Sequence, residues 1–188
     1  MAVKFLGKWN TDTLVAVAVG AALFGVLMVY ASIPVTVNTM LTTAMIVPVI
    51  VGGLFGPLPA FATMAIGNIV ADAVGGWGFW FNWSIGNGFL GLFIGALPLY
   101  GARIDEGIFT IKHAIIFAVL VVVGNILAFG VVTPIFTSIF YGDMMELAFA
   151  QGLGATLANA SVLIVVGIPL LFSMAKRFQK RSNLKEED

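Results

Sequence analysis

The sequence predicts an all-α integral membrane protein, a compact bundle of six transmembrane helices with both termini cytoplasmic, and three observations carry that expectation. Of the 188 residues 60% are hydrophobic and 10% charged, far below the charge content of about 25% typical of a soluble domain, so the surface must be solvated by lipid. The apolar residues gather into six spans at 13–31, 41–55, 57–72, 84–99, 114–133 and 152–174, to be set against the about 20 helical residues that cross a bilayer core. All nine Lys and Arg fall in segments that these spans place on one side. They are Lys4 and Lys8, Arg103 and Lys112, and Lys176, Arg177, Lys180, Arg181 and Lys185. The positive-inside rule makes those segments cytoplasmic. The other side carries Asp72, Asp143 and Glu146, all acids.

The first span, 13–31, is expected to be retained, because Met1 to Asn10 is short and mixed and no small-residue cleavage pattern ends the apolar run. Its Ala16, Ala18, Gly20, Ala21, Ala22 and Gly25 form small-xxx-small pairs that let another helix approach closely. The second span, 41–55, is short for a bilayer. Gly56-Pro57-Leu58-Pro59 reads as a tight cytoplasmic turn, since Pro restricts the residue before it and suits a helix start. The third span ends at Asp72. Before the fourth lies Gly75-Gly76-Trp77-Gly78-Phe79-Trp80-Phe81-Asn82-Trp83, which holds three of the four tryptophans. The fifth and sixth spans complete a single domain over 1–188, and the tail 176–188 turns from basic to acidic.

Chemistry is scarce in this bundle. Cysteine is absent, which excludes disulfides, Cys metal sites and thiol nucleophiles. The single His113 sits among cytoplasmic charges and the acids are scattered, so no catalytic constellation and no metal site is expected, and the chain does not read as an enzyme. No P-loop lysine motif occurs, so any ATP use belongs to another subunit. The basic residues form no patch suited to nucleic acid. Charged groups within spans would mark an ion or proton path, yet only Asp12 and Asp72 come near the membrane, both at helix ends.

Uncharged amides are the polar content of the spans: Asn68, Asn87, Asn125 and Asn159, with Asn38, Asn82 and Gln151 in or near outer loops. An amide is costly in lipid unless paired, so each is expected to face the bundle interior. Two outcomes are open, interhelical hydrogen bonding worth about 0.6 kcal/mol each or a polar pocket. For Trp77, Trp80 and Trp83 the alternatives are an interfacial aromatic belt and a lid or stacking wall, the second favoured by the intervening glycines.

Several segments resemble the substrate-binding S component of an energy-coupling factor (ECF) type vitamin ABC transporter, in the riboflavin-type branch. They are Leu54-Phe55-Gly56-Pro57, Gly67 through Asp72, Trp80 and Trp83, Gly107-Ile108-Phe109-Thr110, Asn125-Ile126-Leu127-Ala128, and Phe149-Ala150-Gln151-Gly152 followed by Asn159. The resemblance covers nearly the whole chain. Asn68 stands where that branch tends to carry His, and Phe129 where it tends to carry Trp. The resemblance implies a subunit that captures a vitamin outside and delivers it to the cytoplasm. A transmembrane coupling subunit and two ATPases energise it, and the chain itself binds no cofactor. It also implies docking of the first helix through Ala18, Gly20, Ala22 and Gly25, and substrate binding by Asn38, Trp80, Trp83, Asn87, Asn125, Gln151 and Asn159.

No Lys or Arg lies on the outer half to pair with phosphate or carboxylate. A neutral ligand rich in amides, hydroxyls or flat rings therefore fits, and riboflavin and cobalamin both meet that description. The competing classes are a stand-alone secondary carrier for a small polar solute and a non-transporting membrane assembly protein.

Overall fold

A computed structural model describes residues 6–7, 9–36, 39–142 and 145–186. Helix α1 (Thr11–Tyr30) starts on Asn10, whose side chain accepts the Thr13 N–H at 2.9 Å. This satisfies one of the donors that every helix start leaves open. A hairpin follows, β1 (Ser32–Thr36) antiparallel to β2 (Thr39–Thr42), with Ser32 opposite Thr42 and Ile33 opposite Leu41. A 3-10 turn, Thr43–Met45, leads into α2 (Ile46–Phe55). Gly56, at φ 96°, then reverses the chain into α3 (Pro57–Gly75), with Pro57 at the first helical position.

Helix α4 (Phe81–Ile94) runs on into a 3-10 turn, Leu97–Tyr100. Helix α5 (Ile111–Leu127) is joined to α6 (Thr133–Tyr141) through one π turn, Ala128–Val132. Helix α7 (Met145–Val162) continues through a second π turn, Leu163–Gly167, into α8 (Ile168–Glu186). The single histidine serves the start of α5. His113 Nδ1 accepts the Thr110 N–H at 3.2 Å, and its own N–H faces Thr110 Oγ1, closing a capping box.

Five of these helical runs are long and apolar enough to cross a membrane: Thr11–Tyr30, Pro57–Gly75, Phe81–Tyr100, Ile111–Tyr141 and Glu146–Arg181. The second segment differs from the expected span over 41–55, and the all-α expectation is corrected with it. Its first residues pair as strand with 32–36, and the α2 helix, at about 15 Å for ten residues, falls short of a roughly 30 Å core. Non-helical backbone at such a depth is tolerated where protein covers it, and Thr42, Ala44 and Met45 are all buried.

Small residues set the helix spacing. A Cβ on Gly25 would lie 2.6 Å from Val70 Cγ1, and one on Gly67 would lie 2.8 Å from the Phe24 ring, so α1 and α3 touch nearly backbone to backbone. Gly52 of α2 and Gly95 after α4 meet in the same way. Phe24, Met64, Leu90, Phe117, Phe129 and Leu163 fill the core between the helices. Leu14, Val19, Ile115, Val119, Leu153 and Val165 point outward and exposed, the pattern of helices that meet lipid on one face and protein on the other.

The two ends of the bundle differ in chemistry. At one end Gly7 approaches the Phe55 carbonyl, Gly95 lies on Gly56 and Pro57, and Gly107 packs on Gln179. The described basic residues, Arg103, Lys112, Lys176, Arg177, Lys180 and Arg181, belong to the segments gathered there. The hairpin strands, the Trp77–Trp80 loop and the Tyr141 end of α6 lie at the other end.

Candidate functional site

A cavity of about 390 Å³ opens at the end away from the described basic residues. Its floor is polar because α3 and α4 turn amide side chains toward each other. Asn87 donates through Nδ2 to Asn68 Oδ1 at 2.9 Å and to the Trp83 carbonyl at 3.1 Å. Asn68 Nδ2 in turn donates to Ser84 Oγ at 3.2 Å and to Asp72 Oδ2 at 3.4 Å. All four of Asn68, Asp72, Ser84 and Asn87 are at least nine-tenths buried, where the alternative to pairing is an unmade hydrogen bond at full desolvation cost.

Asp72 also receives the backbone N–H of Trp80 at 2.9 Å, which pins the loop between α3 and α4. Gly76 (φ 66°) ends α3 in the left-handed conformation, and the Trp77 N–H closes on the Asp72 carbonyl at 3.2 Å. From across the bundle the Tyr141 hydroxyl donates to the Phe79 carbonyl at 2.9 Å and accepts the Phe81 N–H at 3.1 Å. Its ring lies 5.0 Å from Trp80. Trp83 rests on Phe129 at 5.5 Å, and Phe129 sits in the π turn of the α5–α6 run, a local widening often found at binding sites. Trp77, Trp80 and Trp83 all line the cavity, which Met28, Met40 and Met45 close from α1 and the hairpin side.

The structure brings Trp80, Trp83, Asn87, Gln151 and Asn159 into one cavity wall. Asn125 is elsewhere. It is fully buried, its Nδ2 donates to the Val121 carbonyl at 2.7 Å, and its backbone carbonyl accepts the Thr156 hydroxyl at 3.3 Å. Asn38 lies outside the described residues. Sequence reasoning left Asn68, Asp72, Asn82, Trp77 and Thr137 out of the binding set, although each lines the cavity. The signal for Asn68 and Asn82 was present, since both are amides in or beside spans, whereas Thr137 shows only once α6 is seen to pack on α4. Of the small first-helix residues, Gly20 and Gly25 are buried and pack against α2 and α3, while Ala18 and Ala22 remain exposed. A groove between α1 and α2, lined by Val15, Val19, Gly20, Ile50 and Phe55, runs beside them.

Comparison with known proteins finds relatives along nearly the whole chain. The chain is 37% identical to a UPF0397 protein of Aliivibrio salmonicida over 180 residues, which cover 94% of this chain and 97% of that one. It is likewise 37% identical to a UPF0397 protein of Photobacterium profundum over 182 residues, 95% of this chain and 98% of the relative. The crystal structure of FolT bound with folic acid matches with a TM-score of 0.55 at 22% identity, over 90% of this chain and 98% of that one. At that identity the likeness speaks for the fold alone. Residues 8–176 match the model of the family described as the ECF-type riboflavin transporter, S component. A match of that extent, on a bundle with apolar outer faces and a polar cavity at one end, makes this chain a member of the ECF-type riboflavin transporter S-component family, a multi-pass protein of the bacterial membrane that serves transport and is not an enzyme.

Proposed function

We propose that this chain captures a neutral vitamin of riboflavin size on the outer side of the membrane and delivers it to the cytoplasm with a transmembrane coupling subunit and two ATPases. ECF S components work with such modules in general. The observation that carries the reading is the cavity, walled by three tryptophans and by amides, with no described Lys or Arg at its end of the bundle. Its flat aromatic wall suits a fused ring system. The absence of a described cation there removes the partner a carboxylate or phosphate would need. Its volume, about 390 Å³, lies near the lower end of the roughly 300–1,000 Å³ range of ligand pockets. That favours riboflavin over cobalamin, whose corrin ring and peripheral amides need far more room.

In this reading the coupling subunit docks on the exposed Ala18 and Ala22 and in the groove beside Gly20, where small residues permit close helix approach. The termini then lie in the cytoplasm. The test is calorimetric titration of the purified protein in detergent with riboflavin and with cobalamin, alongside a visible spectrum for ligand carried through purification. Saturable binding of riboflavin at about one per chain is expected. Binding of cobalamin alone would replace the cargo, and uptake by this chain alone in liposomes would favour a secondary carrier.

A further inference from the structure

Among the described residues the cavity wall carries one ionisable group, the Asp72 carboxylate, and no Lys, Arg or His lines the cavity with it. Asp72 is 5% exposed and has no ion-pair partner among the described residues. Its two oxygens differ. Oδ2 is spent within the protein, accepting the Trp80 N–H at 2.9 Å and Asn68 Nδ2 at 3.4 Å. Oδ1 accepts no hydrogen bond from the protein, and unlike Asn82 Oδ1 and Asn87 Oδ1 it is not sealed from solvent. The space open to it is the cavity that Asp72 lines. A carboxylate in a largely apolar wall without a counter-charge is costly, and a bound donor or cation relieves that cost.

The other open groups leave the polarity of the site to Asp72. Asn159, also 5% exposed, has a side-chain amide whose two polar atoms are neither bonded nor sealed, but an amide both donates and accepts and so suits either kind of ligand group. Trp77, Trp80 and Trp83 supply indole rings, whose faces attract positive charge.

We infer that Asp72 is a specificity-determining residue: Oδ1 takes an N–H or O–H donor, or a cationic nitrogen, from the bound molecule, and the carboxylate turns away carboxylates and phosphates by like-charge repulsion. The ligand class is a ring compound that carries such a donor and no anionic group. The inference deepens the function proposed above and rests on it for the identity of the ring, since riboflavin offers an imide N–H and ribityl hydroxyls.

Asp72→Asn isolates this role. The Trp80 N–H can only donate, so the variant's side-chain oxygen stays on it and the loop bond survives, while an NH₂ replaces the open oxygen.

Two measurements separate the Asp72 inference from the riboflavin reading. The first needs no vitamin. In Trp9→Phe protein, Trp77, Trp80 and Trp83 are the tryptophans left, and all three line the cavity. Their fluorescence is quenched with caesium and with iodide at matched ionic strength, each referred to free N-acetyltryptophanamide. The caesium-to-iodide ratio should exceed one, and adding Asp72→Asn should lower it toward one. A ratio at or below one, or one that Asp72→Asn leaves unchanged, would overturn an open charge in the cavity. The second measurement compares riboflavin with riboflavin 5′-phosphate by calorimetric titration and competition. Asp72→Asn should weaken riboflavin about tenfold, the loss of one charge-assisted hydrogen bond, and should narrow the preference over the phosphate. Unchanged riboflavin affinity would overturn the contact. Equal weakening of both ligands would show that Asp72 acts only through the loop, and would overturn its role in specificity. If wild type bound no flavin, the riboflavin reading would fall, and the quenching ratio would still decide whether Asp72 charges the cavity.

Discussion

Tyr141 holds the aromatic loop through a single oxygen, which gives one hydrogen bond to the Phe79 carbonyl and takes one from the Phe81 N–H. Tyr141→Phe keeps the ring beside Trp80 and removes both bonds, at a net cost of about 1 kcal/mol. Where loop order is coupled to binding, that corresponds to roughly fivefold weaker ligand affinity; equal affinity by calorimetry would show that the loop is ordered without it. The amides were legible in the sequence as residues that lipid cannot solvate, and Asn68, Asn87, Asn125 and Asn159 are indeed all at least 95% buried. Their destinations were not legible. Asn125 spends its donor on the carbonyl one turn earlier, while Asn68 links α3 to α4, and only the helix rotations decide between those outcomes. Asp72 read as a helix-end residue, and it does cap the loop, yet it also forms part of the cavity wall.

At the scale of elements, α1 shows how much a small-residue stripe leaves open. The pattern announces a close helix contact without naming the helix. Gly25 meets Val70 and Ala71 of α3 within the same chain, whereas Ala22 faces outward. Gly25→Leu should therefore destabilise the isolated subunit by about 1–3 kcal/mol or more through overpacking, read as a lower melting temperature in detergent. Ala22→Leu should stay within about 0.5 kcal/mol of wild type and should instead abolish co-purification with the coupling subunit. A normal complex in the Ala22→Leu protein would remove this face from the docking surface. The hairpin was the element that sequence reasoning missed. The 32–42 stretch alternates no more clearly than its neighbours, and its strands form because they pair with each other and pack over the cavity against α7.

At the scale of the whole molecule, the separation of charge becomes a geometric polarity, with the described cations at one end and the cavity at the other. The positive-inside rule turns that polarity into an orientation. Because the chain has no cysteine, single reporters can test it cleanly. Phe79→Cys, on the exposed aromatic loop, should react with a membrane-impermeant maleimide in intact cells, and Lys180→Cys should react only after permeabilisation. The reverse pattern would invert the molecule and place the cavity on the cytoplasmic side.

Apolar content, the run of long hydrophobic segments and the one-sided basic residues were enough to determine a lipid-solvated helical protein with a polarised charge distribution, because burying backbone hydrogen bonds in a bilayer leaves few alternatives. The amides and tryptophans announced a polar, aromatic feature at one end. Which of them converge, which atoms remain without partners and why the second segment is half hairpin depended on tertiary structure, because helix rotation and side-chain pairing arise between segments distant in the chain. A spacing within one segment cannot encode which partner the Asn82 side chain meets; the fold brings it to Thr137, 55 residues away.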